Sequence, residues 1–264
     1  MRLEAKELAF SYHQQQILRD LSLHVGRGEF VGLIGPNGSG KSTLIKTIYR
    51  SLYPDFGEIH LDGANLLTMR QKQIAQSFGV VGQEHDVNFD FTVLEMVSMG
   101  RAPHKGLLES LHAHDKHIVF EALRALGLEH MVQVQYTRLS GGEKQRVIIA
   151  RALAQESDFL LLDEPANHLD IGYQLQIFDL VKHLKRTTLA AMHDLNMAAL
   201  YCDRLYALKD GQVLYEGSAA EVLTAEHIFQ LYGVHCDTAP HPVTGKLCIT
   251  YFPSEQYQTT GGAL

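Results

Sequence analysis

The feature that most constrains the fold of this 264-residue chain is a glycine-rich loop that fits the pattern G-x-x-x-x-G-K-[ST]. The loop follows an apolar segment, residues 29–34, that predicts a buried strand, and precedes a helix-like segment, residues 41–50. Glycines let the backbone wrap closely around phosphate, and the helix N-terminus adds its positive dipole end. The pattern predicts a nucleotide phosphate site formed by Gly35, Pro36, Asn37, Gly38, Ser39, Gly40, Lys41, Ser42 and Thr43.

Four polar side chains have predicted roles in the chemistry of this site. Lys41 should reach the β- and γ-phosphates, and the Ser42 hydroxyl should bind Mg²⁺. An apolar strand, residues 159–162, ends in Asp163 and Glu164, and such acids lie at the carboxyl edge of a sheet, beside the phosphate loop. Asp163 would hold Mg²⁺, directly or through water, and Glu164 would be the general base for the attacking water. The alternative is an acid that only caps the following turn.

Short apolar segments alternate with helical patterns along much of the chain, which predicts an α/β fold with a mostly parallel sheet, a P-loop NTPase core. Strand patterns near the N-terminus predict an antiparallel β lobe, and a helical pattern over about residues 84–157 predicts an inserted α-helical lobe. The predicted core strands are residues 29–34, 78–81, 159–162 and 187–192; the antiparallel lobe comprises residues 3–12, 17–25 and 57–61, and residues 205–215 form a hairpin on an Asp-Gly turn.

Charge and cysteine content exclude several classes of protein. The formal charge is −7, from 23 Lys and Arg against 30 Asp and Glu, which argues against nucleic acid as a partner. Three cysteines without a CxxC spacing argue against a disulfide scaffold or zinc finger and favour a reducing compartment. The charged N-terminus differs from a signal peptide, and no apolar run approaches the length of about 18 residues that spans a bilayer. We therefore expect a chain that does not itself cross a membrane.

The pentapeptide Leu139-Ser140-Gly141-Gly142-Glu143 stands about a hundred residues after Lys41, just before a predicted helix. Here the chain resembles the ATPase subunit of an ATP-binding cassette (ABC) transporter, whose family signature this pentapeptide is. The resemblance implies that Ser140 and the N–H groups of Gly141 and Gly142 form a second anion cradle at a helix N-terminus. In the family, this cradle meets the γ-phosphate bound by a partner subunit. The resemblance therefore implies a homodimer that encloses two ATP molecules; the alternative is a sequence that only caps a helix.

The resemblance assigns four further positions residue by residue. Tyr12 corresponds to the aromatic residue that stacks on adenine, and Gln83 to the glutamine that contacts Mg²⁺ and water and touches the membrane subunit. His193 corresponds to the switch histidine that senses the γ-phosphate, and Asp170 to the acid of a loop that crosses the dimer interface. Considered singly, an exposed tyrosine, a loop glutamine or a structural histidine would indicate nothing about function.

Several stretches resemble the ATPases that drive import of iron–siderophore complexes, haem and cobalamin: residues 91–95, 99–104, 167–174 and 193–198. Within them, Asn167 and His168 differ from the small residues that are commonest in the wider family, which leaves open how the two nucleotide sites communicate. In that group, two ATPase chains lie under two multi-helix membrane permease subunits. An external or periplasmic substrate-binding protein delivers the substrate to the permease.

This resemblance implies a peripheral ATPase subunit at the cytoplasmic face of the bacterial inner membrane, in contact with the substrate-binding protein only through the permease. It would couple ATP binding and hydrolysis to uptake of a metal chelate, with an iron–siderophore complex favoured over haem, cobalamin or another metal or oxyanion. A non-transport cassette ATPase, an exporter and a small-molecule P-loop kinase remain as alternatives. The signature, the single cassette and the lack of sustained heptads argue against the first and third, and the lack of fused membrane helices argues against an exporter.

The resemblance covers residues 2–232, and we expect an ATPase domain over residues 2–236 followed by a C-terminal tail, residues 237–264. His235, Cys236 and His241 could resemble metal ligands, but their spacing matches no complete metal-binding pattern. The segment from Gly233 to the end is therefore expected to be loosely packed.

Overall fold

The computed structural model describes residues 1–82, 90–106, 109–167 and 169–253. Its strands are β1 (Leu3–Tyr12), β2 (Gln15–Val25), β3 (Phe30–Ile34), β4 (Phe56–Leu61), β5 (Ala64–Asn65), β6 (Phe78–Val81), β7 (Phe159–Asp163), β8 (Thr187–Ala191), β9 (Arg204–Lys209), β10 (Gln212–Gly217), β11 (Cys236–Pro240) and β12 (Leu247–Tyr251). Its α-helices are α1 (Lys41–Ile48), α2 (Gln71–Ser77), α3 (Val93–Ser98), α4 (Ala113–Ala125), α5 (Gly141–Ala154), α6 (Ile171–His183), α7 (Leu195–Tyr201), α8 (Ala219–Val222) and α9 (Ala225–Tyr232). Short 3-10 helices span Leu66–Thr68, Met99–His104, Glu129–Met131 and Tyr136–Arg138. Within these ranges no helix is both long enough and apolar enough to span a bilayer.

A six-stranded sheet in the order β10-β9-β3-β8-β7-β6 forms the centre of the described chain. The strands from β9 to β6 run parallel, and β10 pairs antiparallel with β9 through a turn at Asp210 and Gly211, both with positive φ. Strands β3, β7 and β8 are buried along their whole length, as is typical of parallel strands covered on both faces. The predicted α/β fold with a mostly parallel sheet is confirmed.

The order of the parallel strands places the residues predicted to bind phosphate and Mg²⁺ and to act on the γ-phosphate at one edge of the sheet. Strand β3 leads into the phosphate loop, β7 ends at Asp163, and β8 lies between them and leads to His193. Carboxyl ends of neighbouring parallel strands form the usual ligand-binding edge of such sheets. Strand β6 lies beside β7 and leads towards Gln83, which is outside the described residues.

Alternate side chains of the central strands face two different hydrophobic cores. Phe30 and Ile34 of β3 pack with helices α3 to α9, whereas Val31 and Leu33 pack with α1 and the N-terminal strands. Those N-terminal strands form a separate antiparallel sheet in the order β2-β1-β4-β5, as the sequence predicted. Successive side chains of a strand point to opposite faces of the sheet, so alternate residues pack into different cores.

Helices α3, α4 and α5 lie between β6 and β7 in the chain and are joined by a buried ionic cluster. Arg101 donates from Nε to Asp115 at 3.1 Å, and from Nη1 to the Ala154 carbonyl at 2.9 Å and to Glu156 at 3.0 Å. Lys105 also contacts Asp115 and, with Arg101, holds the pKa of that carboxyl well below its usual range. Because Arg101 and Asp115 are buried and paired, and Arg101 also donates to the Ala154 carbonyl, these contacts fix the 3-10 segment Met99–His104 to the end of α5.

The described part of the C-terminal segment, residues 233–253, differs from the loosely packed tail that the sequence predicted. Strands β11 and β12 pair as an antiparallel hairpin, and Cys236 and Ile249 are buried in the core that covers the helical face of the sheet. The Asn196 side chain of α7 accepts from the Ile249 N–H at 2.8 Å and donates to its carbonyl at 3.2 Å. The prediction was wrong for these residues because the two strands are short and mostly exposed. Their ordered structure depends on packing against α7.

We expect Asn196→Ala to lower the free energy of unfolding by about 1–3 kcal/mol, because the N–H and C=O of Ile249 lose their partner where water has little access. Urea unfolding followed by circular dichroism measures the change. The control Gln14→Ala, in the exposed turn between β1 and β2, should alter stability by less than about 0.5 kcal/mol. Equal stabilities of the two variants would contradict a hairpin held through Asn196.

Candidate functional site

The phosphate loop encloses a cavity of about 310 Å³ at the carboxyl end of β3. Gly35 has φ +143°, and a Cβ there would lie 2.1 Å from the Leu208 carbonyl oxygen, so only glycine fits. Among the described residues, the buried Ser39 hydroxyl has no hydrogen-bond partner, and it lies just before the N-terminus of α1. An unpaired hydroxyl at a helix N-terminus is well placed for a phosphate oxygen. The cavity is lined by Ile17, Asn37, Gly38, Ser39, Gly40, Lys41, Ser42, Thr43 and Glu164.

The Lys41 ammonium is held over its own loop. Its Nζ donates to the carbonyl oxygens of Gly35 at 2.7 Å and Pro36 at 3.1 Å, and the side chain is buried. Burial lowers the pKa of Lys41, and the negative charges of Glu164 and Asp163 oppose that shift. Because carbonyl groups compensate only part of a buried positive charge, a bound phosphate would improve the environment of this ammonium.

Ser42 and Asp163 meet at the end of β7, as the sequence predicted. The Ser42 Oγ donates to Asp163 Oδ1 at 2.8 Å, and Asp163 is only 2% exposed. Burial raises the pKa of Asp163, and the hydrogen bond from Ser42 opposes the rise. A hydroxyl and a carboxylate side by side are the hard oxygen ligands that Mg²⁺ prefers. These two residues therefore fit a Mg²⁺ ion at the edge of the phosphate cavity.

Glu164 and His193 form a close pair beside the phosphate cavity. The Glu164 Oε1 lies 2.7 Å from His193 Nε2, and the Glu164 side chain is 9% exposed. The Glu164 backbone has φ +54°, a left-handed conformation that is uncommon for residues other than glycine. Its side chain lines both the phosphate cavity and a second cavity of about 60 Å³, which His193 also lines. The structure thus brings together the acid and the histidine that the sequence predicted to act on the γ-phosphate.

The loop that follows Glu164 is described at residues 165–167 and 169–170. It is held by side chains that the sequence did not predict to be site residues. Gln145 of α5 donates to the Pro165 carbonyl at 2.8 Å, and Gln174 of α6 donates to the carbonyls of Ala166 and Leu169. Asn167 Nδ2 donates to Glu164 Oε2 at 2.5 Å. No sequence motif marks the functional role of a glutamine on a helix. Of these three side chains, only Asn167 was noticeable in the sequence, because its identity is unusual for the wider family.

Among the described residues, Tyr12, Ser140, Gly141, Gly142 and Asp170 do not line the phosphate cavity. Ser140 starts α5 as its N-cap, with its N–H and Oγ donating to Glu143 at 2.8 and 2.7 Å. Gly141 is exposed, and a Cβ there would meet nothing within 4 Å. Asp170 is exposed and caps α6, and Tyr12 is 45% exposed at the end of β1. The predicted residues of the described chain therefore form two groups, one at the phosphate cavity and one that does not line it.

Gln83 and His168 lie outside the described residues, so their predicted positions at the site stay predictions.

A sequence model of the family described as "ABC transporter" matches residues 18–167. The ferric enterobactin transport ATP-binding protein FepC of Escherichia coli (strain K12) is 37% identical to this chain, and the match covers 92% of each protein. A structure described as an inward-facing conformation of a putative metal-chelate type ABC transporter superposes with a TM-score of 0.82 and 26% identity, over 96% of this chain and 98% of the other.

A dimeric structure of a post-hydrolysis state of the ATP-binding cassette MJ0796, bound to ADP and Pi, has a TM-score of 0.74 and 28% identity to this chain. The match covers 82% of this chain and 98% of that one. The similarities therefore extend over the two groups of predicted residues and not only over the phosphate loop.

We expect Lys41→Gln to weaken nucleotide binding at least about a hundredfold, because it removes the only cation that lines the phosphate cavity in the described structure. Titration with a fluorescent ATP analogue measures the affinity. Lys246→Gln, at an exposed position in the turn between β11 and β12, is the control and should bind as the wild type does. Wild-type affinity in the Lys41 variant would contradict the assigned phosphate site.

Proposed function

Because the chain belongs to the ABC transporter family, whose ATP-binding subunits are ATPases, we propose that it is the ATP-hydrolysing subunit of an importer for a metal chelate, most directly an iron–siderophore complex. The observation that carries the ATPase assignment is the meeting of Lys41, Asp163 and Glu164 at one sheet edge. The substrate class rests on similarity along nearly the whole chain to a ferric enterobactin transport protein and a metal-chelate type transporter.

Binding of ATP follows from the groups that line the phosphate cavity. Ser39, Lys41 and other loop residues line the phosphate cavity, so the loop N–H groups and the Lys41 ammonium are proposed to bind the phosphates, and Tyr12 is proposed to stack on adenine. Mg²⁺, held by Ser42 and Asp163 with Gln83 as a further ligand, would neutralise charge that develops on the phosphates.

Hydrolysis is proposed to depend on Glu164 and His193. A water oxygen forms the bond to the γ-phosphorus while the bond from that phosphorus to the β–γ bridging oxygen breaks, and the proton of the water passes to the Glu164 carboxylate. His193, 2.7 Å from that carboxylate, orients it and senses the γ-phosphate. ADP and inorganic phosphate are then released.

The group formed by the exposed Ser140, Gly141 and Asp170 and the half-buried Gly142 is proposed to complete the site of a second copy of the chain. Its N–H groups at the start of α5 would form an anion cradle, and a partner's γ-phosphate would be the anion that they bind. Closure of such a dimer would move α3, α4 and α5 and reshape the contact with the membrane permease. The chain would act peripherally, at the cytoplasmic face of the bacterial inner membrane, and reach the substrate-binding protein only through the permease.

Glu164→Gln should reduce kcat for ATP hydrolysis at least about a hundredfold, because an amide cannot accept the proton of the attacking water. ATP affinity should stay within about twofold, since the amide keeps the size of the side chain. Phosphate release measures turnover, and size-exclusion chromatography with ATP should show a trapped dimer. Glu226→Gln, exposed on α9, is the control, and a Glu164 variant that hydrolyses ATP at the wild-type rate would refute the base assignment.

Mixing two inactive variants tests the shared site. Lys41→Gln removes the phosphate loop function, and Gly141→Asp places a negative charge in the cradle at a position where a side chain has room. Each variant alone should be inactive. In an equal mixture, half of the random dimers contain one intact composite site out of two, so ATPase activity should recover to about a quarter of the wild-type value. A mixture as inactive as its components would contradict a site made by two chains.

A further inference from the structure

His193 lies in a short connection between strand β8 and helix α7. Met192 follows β8 directly, and its N–H donates to the Leu33 carbonyl of β3 at 2.9 Å, so the strand end of the connection is fixed to the central sheet. At the other end, the Asp194 side chain caps α7 and accepts from two N–H groups of its first turn at 2.8 and 3.1 Å. The position of His193 therefore depends on where α7 begins.

Helix α7 is attached to a different element at each of its ends. It has only seven residues, so contacts with other elements decide its position more than its own stability does. At its C-terminal end, the Tyr201 hydroxyl donates to Asp179 of α6 at 2.9 Å. At its N-terminal end, Asn196 bonds to Ile249 of the C-terminal hairpin, β11 and β12. The hairpin thus holds the end of α7 that is nearer to His193.

The side-chain amide of Asn196 pairs with both backbone groups of one residue of β12. Ile249 is paired with Thr238 across the hairpin, and its N–H and carbonyl reach the Asn196 amide at 2.8 and 3.2 Å. In an antiparallel pair, alternate residues direct these groups away from the partner strand. Asn196 supplies the acceptor and the donor that a further strand would otherwise supply. This attachment therefore needs an amide at position 196.

Helix α7 and the hairpin also lie close to the residues proposed to act in hydrolysis. Met197 lines the cavity of about 60 Å³ that Glu164 and His193 also line. Burial raises the pKa of Tyr251 in β12, and the negative charge of Asp194 adds to the rise, so this phenol lies near the cap that follows His193. A displacement of the hairpin would therefore reach the connection that carries the histidine.

We propose that Asn196 is a positioning residue, which fixes the start of α7 to the C-terminal hairpin and thereby holds His193 at 2.7 Å from Glu164. The proposal rests on the proposed function, because it assumes that His193 orients the Glu164 carboxylate. Asn196 is not among the described residues that line the phosphate cavity, so its effect on hydrolysis would pass through His193 and not through the nucleotide. The C-terminal hairpin would thus support hydrolysis from outside the phosphate cavity.

Two substitutions at position 196 test this role. Asn196→Ala removes both hydrogen bonds to Ile249, and Asn196→Asp places a carboxylate against the Ile249 carbonyl oxygen. We expect kcat for ATP hydrolysis to fall about tenfold in the alanine variant and to fall in the aspartate variant as well, because misplaced catalytic groups lose rate steeply. KM for ATP should stay within about twofold of the wild-type value in both variants.

The matched control is Asn65→Ala. It removes the asparagine that caps the 3-10 helix Leu66–Thr68 by accepting from the Leu67 N–H at 2.8 Å, so it also deletes a hydrogen bond from a side chain to the backbone. Its kcat and KM should equal those of the wild type. Circular dichroism at the assay temperature measures the folded fraction of each variant.

Combination with His193→Ala decides whether Asn196 acts through the histidine, with single-turnover hydrolysis at excess enzyme to measure slow rates. If Asn196 positions His193, Asn196→Ala should change the rate less than about twofold once the histidine is absent. Partial unfolding would instead lower the rate by the same factor in both backgrounds, and that result would overturn the proposal. Wild-type kcat in Asn196→Ala, or a change confined to KM, would also overturn it.

His193→Ala alone distinguishes a failure of this proposal from a failure of the proposed function. If it hydrolyses ATP slowly while Asn196→Ala is as active as the wild type, only the role of Asn196 is wrong. If His193→Ala hydrolyses ATP at the wild-type rate, the proposed role of the histidine itself is wrong.

Discussion

Parallel pairing of β3, β8 and β7 is the constraint on which the rest of this structure depends. All three strands are buried on both faces, so the two cores that cover them determine their register. Their carboxyl ends then meet at one edge, where Ser42 and Asp163, 121 residues apart in the chain, come within 2.8 Å.

The edge of the sheet also concentrates charge where water has little access. Burial lowers the pKa of Lys41 and raises the pKa of Asp163, so burial opposes the charged form of both groups. Lys41 currently uses loop carbonyls, and the Ser39 hydroxyl has no partner in the described chain. Phosphate oxygens would provide acceptors for both groups, so a bound anion would be stabilised here despite the net negative charge of the chain.

The parts of the fold and site that could be predicted are those encoded by neighbouring residues. Apolar runs identified the buried strands, and the loop and the acids at the end of β7 carried recognisable patterns. The role of Gln145 or Gln174 could not be predicted, because a helical glutamine acquires its role from the carbonyl that it meets. The C-terminal hairpin was not predicted for the same reason. Its ordered structure depends on Asn196 and on a core formed by distant segments.

The sequence by itself determined the family, the α/β architecture and the residue types of the phosphate site, because each depends on short patterns of sterics and polarity. Only the tertiary structure decided that Asn167 contacts Glu164, that Glu164 lies between two cavities, and that Ser140 lies away from the phosphate loop of its own chain. Such contacts depend on how helices pack on the sheet, and packing is the sum of many weak interactions between residues far apart in the chain.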